Sequence, residues 1–280
     1  MSTVNEYHAG KLHGLWSLTN RELKKWYKAP VIFLLSIIQP ILWMGLLGKA
    51  MNIGALIPST IPGLNPGAIL QTELGTGDYF SFMAVGVISF TALFTTMFSG
   101  MSVVWDRRLG FLNKVLSTPV SRTVIIFSKV LSATLRSMFQ AGLIIVIAVA
   151  FGLQFGATFN VLSLLGVFAI MFLICVGLSS AFIAITIRST RIETPMAVVN
   201  LITLPLMFAS NAFFPTKFMP DWLQTVAQYN PMTYTTDALR QLLIFTTDYT
   251  KLAFDFLYVG IFAGIVATIG IVLSWRFLSK

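Results

Sequence analysis

The chain has 280 residues, 56% of them apolar and only 10% charged, and its mean hydropathy is +0.82. That composition excludes a soluble domain of this size and points to an integral membrane protein: each crossing needs ~20 apolar residues, so about six helices with short loops fill the length. The net charge of +9 would suit nucleic acid, but the basic residues sit beside apolar runs instead of forming one patch, so membrane orientation accounts for them and no nucleic-acid partner is expected. Cys175 is the single cysteine and lies within an apolar run, which excludes an internal disulfide and reads as a small core residue. His8 and His13 make no ligand set, so no metal is expected. A polar stretch of roughly thirty residues precedes the first apolar run, so no cleavable leader is expected either.

In chain order, residues 1–29 form a polar N-terminal segment whose part from 11 to 28 is amphipathic. On a helical wheel Leu12, Leu15, Trp16, Leu23, Trp26 and Tyr27 gather on one side and Arg21, Lys24, Lys25 and Lys28 on the other, with Leu18 astray. The expectation is a helix in the headgroup layer, aromatic side down and basic side toward anionic lipid or a partner. Residues 30–280 follow as one six-span unit. Span one runs from about Pro30 to Gly48 with a kink at Pro40. A Gly- and Pro-rich outer loop, Lys49 to Asp78, includes Pro58, Pro62 and Gly63 and leads to span two, about Tyr79 to Trp105.

Residues 106–117 then form the one strongly charged interval between the first and last apolar runs. It reads as a short helix at the membrane face, with Leu109, Leu112 and Leu116 at i, i+3 and i+7 on one side and Arg107 and Lys114 elsewhere. Pro119 ends it, pushing Thr118 out of the helical region, and the next helix starts afresh near Ser121, beside Arg122. Span three carries Lys129 and Arg136 on nearly one face, so its first ~20 Å project into the cytoplasm. Span four covers about Val161 to Ile187. Span five opens at Pro195 and runs to about Phe214, kinked at Pro205. Residues 215–246 are too apolar for a free loop and too interrupted for a span. Pro215, Pro220 and Asn230-Pro231 cut them into two half-length helices, Asn230 suited to cap the second and Pro231 to its first position, and together they read as a re-entrant hairpin in the outer leaflet. Span six extends from about Leu252 to Trp275, ending at Arg276 and Lys280.

Of the 19 Lys and Arg residues, only Lys49, Lys217, Arg240 and Lys251 fall in segments expected outside. The chain is therefore expected to cross the cell membrane an even number of times with both termini cytoplasmic.

Two segments resemble a known family. Asp106-Arg107, Gly110-Phe111-Leu112 and the close Thr118-Pro119-Val120-Ser121-Arg122 are similar to the coupling-helix region of ABC type-2 permeases, the membrane subunits of ATP-binding-cassette exporters, daunorubicin-resistance-like ones included. Phe214-Pro215, Pro220, Trp222-Leu223, Asn230-Pro231, Thr233-Tyr234 and Asp237-Ala238-Leu239-Arg240 resemble that family's second signature, before its last span. The resemblance covers essentially the whole chain. It implies a subunit paired with a second copy or a close paralogue, and two cytoplasmic ATP-binding subunits that receive the 106–117 helix in a groove and tilt it on closing. ATP and Mg would be bound by those subunits. On this reading Asp106, Arg107, Leu109, Gly110, Leu112, Leu116, Thr118, Pro119 and Arg122 couple to the ATPase, with Arg21, Lys24, Lys25 and Trp26 on the interfacial helix beside them. Trp222, Asn230, Pro231, Tyr234, Asp237 and Arg240 would form an outer gate.

No phosphate-binding loop is expected in the chain itself: Gly48-Lys49-Ala50 has Trp43 where the first Gly belongs and lacks the Ser or Thr after Lys, so the reading is not an enzyme. Asp237 and Arg240, three apart, read as a surface ion pair. Phe90, Phe94 and Phe98 repeat every fourth residue, and Asn200 and Asn211 lie on span five; they suit a substrate path or helix packing equally. The apolar interiors of spans two, four, five and six hold no charged residue, which argues against an ion-coupled carrier and for a hydrophobic or amphipathic cargo, drug-like or lipid-like. An ion-gradient-driven transporter and a non-transporting membrane scaffold are the competing readings.

Overall fold

A computed structural model describes residues 11–50, 66–118, 120–189 and 191–278; Pro58, Pro62, Gly63, Pro119 and Lys280 lie outside them. Every regular element among the described residues is helical. α1 is Lys11–Tyr27, α2 Pro30–Trp43, α3 Pro66–Leu74, α4 Tyr79–Arg108, α5 Phe111–Leu116, α6 Arg122–Ala150, α7 Val161–Thr186, α8 Glu193–Phe208, α9 Asp221–Gln228, α10 Pro231–Leu243 and α11 Tyr249–Leu278.

Among the described residues five stretches are long and apolar enough to cross a membrane: 30–50, 67–108, 122–150, 161–186 and 249–277. The expected span five is not among them. α8 has 16 residues, ~24 Å of helix against ~30 Å of hydrocarbon. It stops at Phe208 instead of kinking at Pro205 and continuing to Phe214, because its last carbonyls are taken by side chains from elsewhere. Asn230 Nδ2 donates to Leu206 O at 2.8 Å and Ala209 O at 2.6 Å, and Ser210 Oγ to Met207 O at 2.7 Å.

α4 is the axis: 89% of its apolar window is buried, against 17% for the windows of α2 and α11. α6, α7 and α10 pack around it. At Gly86 the segment after α8 comes so close that an added methyl would collide with the Ala212 carbonyl. Asp78 starts α4 by accepting from the amides of Phe80 (3.3 Å) and Ser81 (3.0 Å), and α3, unexpected in the Gly- and Pro-rich loop, precedes it. Pro40 does not kink α2 alone. α2 ends at Trp43 and Met44–Ala50 continues with π-type bonding. The Ser36 carbonyl, which a residue-40 amide would have bonded, instead accepts from Gln140 Nε2 of α6 at 3.3 Å.

The 106–117 interval is not one helix. Asp106, Arg107 and Arg108 are the last turn of α4, and the chain breaks at Leu109-Gly110 before α5. Gly110 has φ +71° and nothing within 4 Å of where a Cβ would stand, so the break needs the left-handed region and nothing else. Gly110→Ala is expected to cost ~1–2 kcal/mol by backbone strain alone, read as a lower thermal midpoint in detergent, with Gly110→Asn milder.

Candidate functional site

At one end of the bundle three carboxylate and ammonium groups lie buried together. Asp106 of α4, Glu22 of α1 and Lys129 of α6 are each 5% exposed or less. Lys129 Nζ stands 2.6 Å from Asp106 Oδ2, 3.4 Å from Glu22 Oε1 and 3.2 Å from Ser102 Oγ. Two further cations close the cluster from its rim: Lys25 Nζ is 2.7 Å from Asp106 and 3.1 Å from Glu22, and Arg21 is 2.8 Å from Glu22 and 3.5 Å from Asp106. Burial makes each charge dependent on its neighbours, since an unpaired ion here has little water to turn to. The cluster joins α1, α4 and α6, so the lower part of α6 is covered by α1 and does not project freely.

This arrangement turns α1 around relative to the sequence reading. The packed face is Leu15, Leu18, Thr19, Glu22 and Trp26, at i, i+3, i+4, i+7 and i+11, with Thr19 and Glu22 buried and the other three half-buried. Leu18, the stray, is on it. Trp26 packs edge-on against Phe33 (4.9 Å) and Phe139 (5.7 Å) instead of pointing at headgroups. Leu12, Trp16 and Tyr27 face outward at 82%, 58% and 48% exposure, as does Lys24.

α5 hangs from the charged cluster. The Arg21 guanidinium carbon sits 3.1 Å from the centre of the Phe111 ring. Leu112 and Val115 are buried among Val103, Ile125, Ile126, Ile183 and Ile187, with Leu116 packed at the edge. Leu109 does not share that face: it is 81% exposed, because it sits in the break, not in the helix. Asn113, Lys114, Ser117 and Thr118 are exposed with it. Arg107 is half-buried and Arg122 exposed as the first residue of α6.

At the opposite end, α10 grips the turn after α8. Asn230 caps α10 by accepting from the Met232 amide at 2.9 Å, with Pro231 at the first position. Arg240 is 1% exposed and no described carboxylate lies within ion-pair distance of it; it donates to the carbonyls of Asn211 (2.8 Å), Ala212 (3.0 Å) and Phe82 (3.4 Å), its guanidinium 3.5 Å from the centre of the Phe82 ring. The expected Asp237–Arg240 surface pair is therefore absent. Asp237 accepts from Asn211 Nδ2 and lies 3.3 Å from Lys251 Nζ. Asp255, a carboxylate near the start of the expected span six, is inside α11, 1% exposed, and accepts from Gln241 at 2.9 Å. Tyr234 and Tyr258 stack at 3.9 Å and donate to Gln228 O (2.6 Å) and Tyr229 O (2.9 Å), holding the end of α9, whose Trp222 is 68% exposed. Phe90 and Phe94 touch at 4.3 Å, and Phe90 meets Trp43 (5.8 Å) and Phe213 (5.4 Å). Phe98 is 46% exposed and Asn200 lies apart on the open side of α8. The structure thus brings Asn211, Asp237, Arg240 and Asn230 together and leaves Asn200 and Phe98 outside that cluster.

The profile of the family described as ABC-2 type transporter matches residues 13–244, which takes in the charged cluster, α5 and all of α10. The chain belongs to this family. A putative transport permease, ycf38, of Cyanophora paradoxa is 30% identical over 88% of this chain and 81% of its own length. The daunorubicin resistance ABC transporter permease protein DrrB1 of Streptomyces coeruleorubidus is 23% identical over 69% and 66%, and the probable multidrug ABC transporter permease YbhR of Escherichia coli K12 25% identical over 60% and 45%. As an ABC-2 type transporter the chain is a multi-pass membrane permease subunit, and an ATP-binding subunit is the partner that membership implies. Within the inner cluster the sequence reading takes Lys129 only as a sign that span three projects and Phe111 only as part of a motif, and it passes over Glu22. A lysine in an otherwise apolar helix next to an aspartate at a span end was the signal that would have found the first.

Proposed function

We propose that this ABC-2 permease exports a hydrophobic or amphipathic compound, drug-like or lipid-like, across the cell membrane, driven by two copies of a separate ATP-binding subunit that carries ATP and Mg. A second permease, this chain or a close paralogue, completes the conduit. α8 and the turn gripped by α10 serve as the sixth crossing, which leaves both termini cytoplasmic. The observation that carries the reading is the suspension of α5: a six-residue helix, held by Arg21 of α1 over Phe111 and by apolar contacts to residues of α4 and α6, transmits a push on its exposed side to three helices that the buried charges tie together. Anchoring and docking divide between different residues. Leu112, Val115 and Leu116 hold α5 to the bundle, whereas Leu109, Asn113, Lys114 and Ser117 face away from it and meet the ATPase. Asp106 and Arg107 act at the root of the lever, and Phe94 and Phe98 border the path along α4.

The test is Leu109→Glu with Lys114→Glu. Both sites are exposed, so membrane insertion and thermal stability are expected to stay within ~0.5 kcal/mol of the parent, while co-purification of the ATP-binding subunit falls about tenfold or more through charge reversal and loss of an apolar contact. Unchanged co-purification would remove α5 as the docking helix.

A further inference from the structure

We infer that Arg136 of α6 is an anion-binding residue, which takes the phosphate or carboxylate headgroup of an amphipath from the leaflet at the α5 end of the bundle while the apolar tail lies along Phe139 and Val146. The inference rests on the proposed function for the side of the membrane concerned, the cytoplasmic one, and adds a charge to the compound this site takes.

Arg136 is the last charged residue of α6, and the rest of the helix from Ser137 onward carries no charge. Its neighbours mark its depth. One turn further along, Phe139 packs against Trp26 at the end of α1 (5.7 Å), and Trp26 packs against Phe33 in the first turn of α2 (4.9 Å). Arg136 therefore stands level with the corner where the chain turns from α1 into its first crossing, which is where headgroups lie.

Two polar layers flank it along α6. Two turns toward the start of the helix, Lys129 joins Asp106 and Glu22; one turn toward its end, Gln140 accepts from Thr95 Oγ1 and donates to the Ser36 carbonyl at 3.3 Å. Arg136 belongs to neither. It is half-buried, and its Nε donates to the Ser132 carbonyl of its own helix at 3.3 Å. Its two terminal nitrogens make no hydrogen bond to any described residue and remain open to the surroundings. The carboxylate whose field reaches it is Glu22, already held by Arg21, Lys25 and Lys129. Without Arg136 the inner cluster sets these three cations against Glu22 and Asp106; with it, four cations face two carboxylates. A guanidinium so placed binds a phosphate or carboxylate through two parallel N–H bonds, and a surplus of two positive charges favours a net anionic head over a zwitterionic one.

The tail is read from the next turns of the helix. Phe139 and Val146, seven residues apart and so on one face, are 52% and 66% exposed and lead from Arg136 into the apolar length of α6. A free inorganic anion makes no use of that surface, whereas an anionic amphipath covers it.

The test uses the full chain with its ATP-binding subunit in phosphatidylcholine nanodiscs that carry a trace of one of two photoreactive probes, a phosphatidic acid or a phosphatidylcholine with the same diazirine-bearing acyl chain. The readout is the label on the α6 peptide that contains Phe139 and Val146. In the parent the phosphatidic acid is expected to label that peptide about fivefold more than the phosphatidylcholine, the gain a basic residue gives near an anionic headgroup. Arg136→Gln is expected to bring the two probes level, and Arg136→Lys to keep about half of the excess. Equal labelling by the two probes in the parent overturns the inference. So does an excess that survives in Arg136→Gln, which would place the anion on the exposed Lys24 and Lys28 instead. If Arg136→Gln does not fold, an excess undiminished in Arg136→Lys overturns the inference and a halved one supports it. Added ATP separates the two sources of the headgroup: a resident lipid keeps labelling the peptide through turnover, whereas a cargo leaves it and the label falls, and in either case Arg136 is the anion site. Failure of the site leaves the proposed function standing; loss of the ATP-binding subunit on purification of the parent chain is the separate result that counts against that function.

Discussion

Lys129→Met is expected to lower the stability of the permease by ~3–5 kcal/mol, a drop of about 10 °C or more in the thermal midpoint of the detergent-solubilised chain. The substitution keeps the volume but leaves Asp106 and Glu22, both nearly inaccessible to water, facing each other with only the rim cations. Lys25 and Arg21 are 42% and 30% exposed in their side chains and share their charge with solvent, so they replace a buried ammonium poorly. The cost is that of orphaned carboxylates and not the net worth of an ion pair, and this has a sharp consequence. Lys129→Met combined with Asp106→Asn removes one orphan along with its partner and is expected to recover at least half of the loss, while Asp106→Ala alone is expected to be nearly as damaging as the lysine change. A double variant no more stable than Lys129→Met would show that the cluster is held by something other than charge balance.

Arg240→Met is expected to cost ~3 kcal/mol and to do its damage locally. It frees the carbonyls of Asn211 and Ala212, each worth ~1–3 kcal/mol when left buried without a donor, less the relief of no longer burying a guanidinium; the Phe82 carbonyl, inside α4, keeps its own helical donor. Arg240→Lys is expected to keep roughly half, because a single ammonium cannot span two adjacent carbonyls as the planar fork does. The readout is amide hydrogen exchange over residues 209–214, expected to accelerate markedly in the methionine variant while co-purification with the ATP-binding subunit is unchanged. Continued slow exchange there would mean that Asn230 alone holds the turn. Arg240 and Lys129 lie at opposite ends of the bundle and share no partner, so the two losses are expected to add.

The long helices were legible because a 20-residue apolar run admits few alternatives: the observed bounds of α2, α4, α7 and α11 follow the expected spans within a few residues at most ends. The end of α8 was not legible. Pro205 signals a disturbance, but whether a helix bends or stops depends on donors such as Asn230 and Arg240 that are distant in sequence. The wheel drawn for α1 went wrong for a related reason. It ranked faces by hydrophobicity, and the face that packs contains Thr19 and Glu22, whose surroundings on α6 and α4 make them buried. The i, i+3 spacing of Asp237 and Arg240 suggested a pair, yet a guanidinium shut away from water is served as well by backbone carbonyls, which no residue pattern displays. At the charged interval the letters held the correction: Gly110 marks a break as plainly as Pro119 marks an end, and with the break in place Leu109 leaves the stripe.

The stacked tyrosines carry a last consequence. Because one belongs to α10 and the other to α11, and both phenols are tethered to the final carbonyls of α9, any shear between the last long helix and the hairpin before it must be delivered to α9 as a swing about Pro220. The far surface of the protein would then register, through two hydroxyl groups, a sliding that begins where α11 lies alongside α7.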